Sequence, residues 1–108
     1  MLFGHRRDAP GYKRALEEFD DDLIRFEKLR REDDVFILTA DHGNDPTKVE
    51  HTDHTREHVP LLCYGDALKQ GVPLGTRSSF ADVGATVEAL FELPDAGPGR
   101  SFLAEIAR

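Results

Sequence analysis

One stretch limits the possible folds of this chain more than any other. Val35-Phe36-Ile37-Leu38-Thr39-Ala40 is a short, unbroken apolar run set between Asp33-Asp34 and Asp41-His42. A run of that length with polar boundaries predicts a strand covered on both faces. Upstream, Tyr12, Leu16, Phe19, Leu23 and Phe26 recur at steps of four, three, four and three after Pro10-Gly11, the stripe of an amphipathic helix. A helix followed by a covered strand predicts an α/β layer. The acidic cluster Asp20-Asp21-Asp22 falls on that helix and reads as a solvated face without a function of its own.

Downstream, Val59-Pro60-Leu61-Leu62-Cys63-Tyr64 predicts a second strand, with Pro60 confined to its first residues or an edge because proline offers no ladder donor. Gly65 ends it, and the segment between Gly71 and Gly75 is loop-like. Ser79-Phe80-Ala81-Asp82 offers a capping box to a helix carrying Val83, Val87, Leu90 and Phe91, which Pro94 stops. The expected organisation is therefore a core segment over residues 1–94 and a tail over 95–108, Gly- and Pro-rich at first and then a short helix of marginal stability. No internal repeat is visible.

At 108 residues the chain is long enough for one modest core. Its net charge of -7 argues against a nucleic-acid backbone or an anionic membrane as partner and favours cations. The lone Cys63 has no disulfide partner within the chain and is expected to pack as a small hydrophobe in a cytosolic protein. The start, Met1-Leu2-Phe3-Gly4-His5-Arg6-Arg7-Asp8, carries charge where a leader would be apolar.

The loop between the two strands holds the chemistry. Residues 41–58 contain four of the five histidines, His42, His51, His54 and His58, with three aspartates and two glutamates. Imidazole and carboxylate together suit manganese, iron or zinc, whereas calcium asks for oxygen almost alone. Asp41 and His42 follow directly on a strand, where ligands of open α/β sheets collect, and Gly43 is expected to let the backbone turn sharply. His54-Thr55-Arg56-Glu57-His58 matches the H-x-x-E-H pattern of inverted zinc peptidases, but that pattern needs a helix and Pro60 disfavours one. No serine stands in a G-x-S-x-G context, and no phosphate-cradling glycine loop is present.

Four ordered segments carry a resemblance: Gly4-His5-Arg6-Arg7-Asp8, Thr39-Ala40-Asp41-His42-Gly43, Thr52-Asp53-His54-Thr55-Arg56-Glu57-His58 with Val59-Pro60, and Phe80-Ala81-Asp82-Val83-Gly84. Together they resemble the C-terminal part of the phosphopentomutase family, within the alkaline phosphatase superfamily. The resemblance implies part of an alkaline-phosphatase-like α/β core in the order helix, strand, metal loop, strand, helix. It also implies a cytoplasmic isomerase that interconverts ribose 1-phosphate and ribose 5-phosphate, and the deoxyribose pair, through a phosphorylated threonine and a bisphosphate intermediate. Two Mn(2+) ions are implied, Asp41 and His42 on one, His5 and His54 on the other. His58 is implied as a partner orienting a ligand, and Arg56 as a phosphate contact or the partner of a nearby acid.

Further aspartate ligands, the nucleophilic threonine and the sugar-phosphate cap of the family have no counterpart in these residues. A C-terminal fragment or a reading frame begun at an internal methionine is therefore expected, inactive alone and prone to self-association through uncovered core surface. The loop between Pro46 and Thr52 is about one residue longer than the family pattern, which leaves His51 and His54 as alternatives for one ligand position. The Thr-Ala-Asp-His-Gly-Asn segment taken alone fits cofactor-independent phosphoglycerate mutase equally well. Another phosphatase-superfamily hydrolase and a non-catalytic metal-binding module are the remaining alternatives.

Overall fold

The computed structural model describes residues 2–108; Met1, the expected start of the core segment, lies outside the described residues. In chain order the elements are α1 (Leu2–His5), α2 (Ala9–Leu29), β1 (Phe36–Leu38), β2 (Leu62–Tyr64), α3 (Ala81–Leu90) and α4 (Leu103–Ile106). This is the expected α/β succession of helix, strand, loop, strand and helix, followed by the expected short tail helix and preceded by one further helical turn. β1 and β2 pair in a two-stranded sheet. The chain divides into two compact units, Met1–Arg31 with Ile37–Leu62, and Glu32–Phe36 with Cys63–Arg108.

In the first unit, α1 ends in a Schellman motif built without glycine. Arg7 takes the left-handed conformation (φ 56°), its N–H donates to the Gly4 carbonyl at 3.0 Å, and the Asp8 N–H donates to the Phe3 carbonyl at 2.8 Å. Asp8 then caps α2, its carboxylate accepting from the Gly11 N–H at 2.9 Å. Pro10 sits in the first turn, where its missing N–H costs nothing, so α2 starts before the Pro10-Gly11 pair expected to precede it. Of the predicted stripe, Leu16, Phe19 and Phe26 are 58%, 50% and 54% exposed.

β1 is shorter than the six-residue run predicts, and all three of its residues are half-buried rather than covered on both faces. β2 starts only after Pro60, as the missing ladder donor requires. No described helix is long and apolar enough to cross a membrane.

The second unit has an apolar core of Leu68, Ala85, Phe102 and Ile106. Phe102 and Ile106 come from the tail expected to be marginal. Backbone bonds hold that tail, with Lys69 N–H donating to the Ile106 carbonyl at 2.7 Å and Arg108 N–H to the Ala67 carbonyl at 3.1 Å. The Thr86 hydroxyl, fully buried, donates to the Asp82 carbonyl at 2.8 Å and accepts from the Phe102 N–H at 3.0 Å. The expected capping box does not form: Phe80 is the N-cap, Ser79 Oγ accepts from the Ala81 N–H at 3.1 Å in a local turn, and the Asp82 carboxylate turns elsewhere. It accepts from the Arg100 N–H at 2.9 Å and from Arg77 Nε at 2.8 Å, and these two bonds hold its carboxyl below the usual carboxylate range. The Arg77 guanidinium also lies over the Phe102 ring, 5.4 Å from its centroid. At the far end of α3, Glu92 repeats the left-handed C-cap of Arg7 (φ 54°).

Candidate metal centre

Residues 41–58 lie wholly in the first unit, with Asp41 and His42 just beyond the carboxyl end of β1. The loop doubles back on itself: the Thr55 N–H donates to the Gly43 carbonyl at 3.0 Å, in an isolated antiparallel bridge. Thr55 is buried there and its hydroxyl donates to the Glu57 carboxylate at 2.5 Å. A side chain at Gly43 would strike that carboxylate and come within 2.8 Å of the Thr55 carbonyl. Gly43 therefore serves close approach. Its φ is not positive, so the sharp turn expected of it is replaced by a space requirement.

The bridge sets His54 against His42, their rings stacked with centroids 3.4 Å apart and 15° between planes. His5, the last residue of α1, joins them, its ring 5.2 Å from that of His54 and tilted by 53°. Its Nδ1–H donates to the Thr52 carbonyl at 2.5 Å, and the His42 Nδ1–H donates to the Gly43 carbonyl at 2.9 Å. A carbonyl can only accept, so each ring turns an N–H at Nδ1 to it and leaves Nε2 as the nitrogen that faces another partner. This is how metal-ligating histidines are usually held.

Asp41 is exposed, its Oδ2 3.5 Å from His42 Nε2. His51 is used differently, its Nδ1 accepting from the Asp53 N–H at 3.2 Å. Of the two histidines left as alternatives, His54 is the one beside His5 and His42. The Asp53 carboxylate accepts from the His54 N–H at 2.8 Å, and this bond, followed by the neighbouring imidazole of His54, lowers its pKa. Arg56 and His58 are exposed. His58 lines a cleft of about 350 Å³ together with Tyr12, His42, Asn44, Glu57 and Pro60.

Among the described residues, no three His, Cys, Asp or Glu side chains form a ready-made ligand set. Ring lone pairs lie in the ring plane, so the stacked His42 and His54 direct theirs side by side rather than at one point. In donor type, however, two carbonyl-anchored imidazoles, a third stacked on one of them and an adjacent carboxylate suit a divalent cation.

The sequence pattern of the metalloenzyme superfamily matches residues 2–95. The chain belongs to the metalloenzyme superfamily. Proteins named phosphopentomutase from Symbiobacterium thermophilum and Carboxydothermus hydrogenoformans are each 53% identical to it over all 108 residues, which span 27% of their length. One from Clostridioides difficile is 49% identical over 104 residues, 96% of this chain and 26% of its own. The chain thus spans about a quarter of the curated relatives that it matches. Membership of the metalloenzyme superfamily implies the use of a divalent metal.

Sequence reasoning reached His5 only through the resemblance, and it missed the contacts that its neighbours make with the loop. The Arg7 guanidinium donates to the Val49 carbonyl at 2.9 Å, and buried Gly4 abuts the Asn44 side chain. The segment Gly4–Asp8 held the only available signal, as one of the four carrying the resemblance.

Proposed function

We propose that these 108 residues are part of a phosphopentomutase, an isomerase of the cytoplasm. The reaction assigned is the interconversion of ribose 1-phosphate and ribose 5-phosphate, and of the deoxyribose pair, by phosphoryl transfer. The observation that carries this reading is the meeting of His5, His42 and His54, brought together from α1 and from both arms of the loop. Their company with relatives of one name at about half identity supports the substrate class.

Manganese is the ion assigned, with Asp41 and His42 holding one Mn(2+) and His5 and His54 a second. A pair of such ions supplies charge stabilisation to the attacking and leaving oxygens of an in-line transfer. The residues of this chain contribute orientation. The carbonyls of Thr52 and Gly43 lock the rings of His5 and His42, and the exposed Arg56, two residues after His54, is assigned as a fork for a phosphate. The threonine that accepts the phosphoryl group is assigned to a part of the protein outside these residues, so the chain alone is expected to be inactive.

Manganese titration of the chain, followed by the electron paramagnetic resonance of the free ion, tests the site. An Asp41→Asn, His42→Ala double variant should bind more weakly than the parent; equal affinities would refute the ligand assignment. Conversion of ribose 1-phosphate by the purified chain would overturn the assignment of the nucleophile to another region.

A further inference from the structure

His5 stands on a helix of one turn, and nothing in such a short helix fixes its own place. Two contacts made by its neighbours do. Gly4 is buried and lies so close to Asn44 that a Cβ at Gly4 would overlap the Asn44 carboxamide. The buried Nδ2 of that carboxamide has no hydrogen-bond partner, so Asn44 meets α1 by shape rather than by a bond. Two residues beyond His5, Arg7 turns left-handed at the end of α1 and its guanidinium reaches across to the Val49 carbonyl. The His5 bond to the Thr52 carbonyl then falls on the same stretch of loop, three residues further along.

We infer that Gly4, Asn44 and Arg7 are positioning residues: the Gly4–Asn44 contact and the Arg7–Val49 bond form a clasp that seats α1 on the loop and sets where His5 stands against His54. None of the three supplies a donor to the proposed ions. Their effect on cation affinity runs through the placement of His5, as with the outer partners that orient metal-binding histidines elsewhere. That consequence rests on the metal reading proposed above; the placement itself does not.

The 108-residue chain is read in two ways. In the metal-free chain, a nuclear Overhauser contact between the ring protons of His5 and His54 reports the placement. Cobalt(II) alone, titrated by its visible absorption, reports affinity. Gly4→Ala should abolish the ring contact and weaken cobalt binding by about 10- to 100-fold. Shortening the opposing side chain in Gly4→Ala, Asn44→Ala should restore most of both, which a merely structural lesion would not do. Arg7→Gly keeps the left-handed turn, deletes the bond to Val49, and should weaken the ring contact with helicity unchanged by circular dichroism; it decides the matter if Gly4→Ala fails to fold.

An absent ring contact in the parent chain, or one that persists in both Gly4→Ala and Arg7→Gly, overturns the clasp. Failure of the double variant to recover the contact while folded overturns the shape argument as well. A ring contact that follows the clasp in a parent chain that binds no cobalt leaves the positioning standing and refutes the metal reading.

Discussion

In the unit formed by Glu32–Phe36 and Cys63–Arg108, the buried residues are Leu68, Asp82, Ala85, Thr86, Phe102 and Ile106; in the unit formed by Met1–Arg31 and Ile37–Leu62, the described buried residues are Gly4, Gly11 and Thr55. One unit thus buries large apolar side chains around a hydrogen-bonded Thr86, whereas the other buries two glycines and one threonine at points of close backbone approach. The contrast is energetic. Full burial of a side chain such as Phe102 contributes about 1.5–3 kcal/mol, while a typical hydrogen bond contributes a net of about 0.5–1.5 kcal/mol. The histidine group is therefore carried by the unit with the weaker cohesion, in keeping with the general placement of ligand loops at the low-stability end of a structure. Caps, the Gly43–Thr55 bridge and side chain to carbonyl bonds hold it in shape.

The comparison is most directly broken at Phe102. Phe102→Ala should cost about 3–5 kcal/mol in the second unit, seen as loss of amide protection across α3 in hydrogen exchange. Unchanged protection would remove that core from the account. Thr86→Val should cost less, about 1–3 kcal/mol, because the buried Phe102 N–H loses the Thr86 hydroxyl as its acceptor. A urea melt in which Thr86→Val proved as damaging as Phe102→Ala would show the unit to be held by its polar centre rather than by its apolar side chains.

Acid sharpens the contrast further. The Asp82 carboxyl is lowered in the fold by the Arg100 N–H and then by Arg77, so between its folded pKa and the unfolded value near 3.9 the unfolded chain binds more protons. The stability it contributes is complete above the unfolded value and is lost as pH falls through the folded one. Melting of the second unit, followed from pH 6 down to about pH 2, should steepen below pH 4, and Asp82→Asn should flatten that part of the profile. An identical profile in the variant would exclude Asp82 as the responsible acid.

The smallest effect is expected on α2. Leu16→Gln, Phe19→Gln should change stability by no more than about 0.5 kcal/mol, since both side chains are half exposed or more. The same pair should lower any self-association seen by sedimentation velocity, because it removes contiguous apolar surface. A large loss of stability would mean that α2 already has a covering partner within the chain.

Much of the local structure was legible in the sequence. The three- and four-residue steps from Tyr12 to Phe26 gave α2, the run at Val35 gave β1 and Pro60 delayed β2, whereas α3 ends at Leu90, short of both Phe91 and the Pro94 expected to stop it. The failures share a cause. Arg7 and Glu92 close their helices in the left-handed region without the glycine that usually marks it, so neither C-cap had a composition signal. Asp82 left its capping box because Arg77 and the Arg100 N–H, 5 and 18 residues away, offered two bonds at once. Phe102 and Ile106 looked like part of a weak tail because a four-residue helix has little propensity of its own; burial supplies what propensity lacks.

By itself the sequence determined the candidate donors: imidazoles and carboxylates following a strand, a glycine early in the loop, and a proline that disfavours a helix across His54–His58. Donor type is a property of single residues and helix or strand period a property of near neighbours, so both can be read along the chain. Only the tertiary structure decided which histidines meet and which nitrogen His5 and His42 turn to a carbonyl. His5 and Thr52 are 47 positions apart, and the bond between them exists only because Gly4 and Arg7 seat one turn of helix on the loop. His54 rather than His51 stands beside His42 because the Gly43–Thr55 bridge fixes the register of the two arms, and register is a property of pairing that neither arm encodes alone.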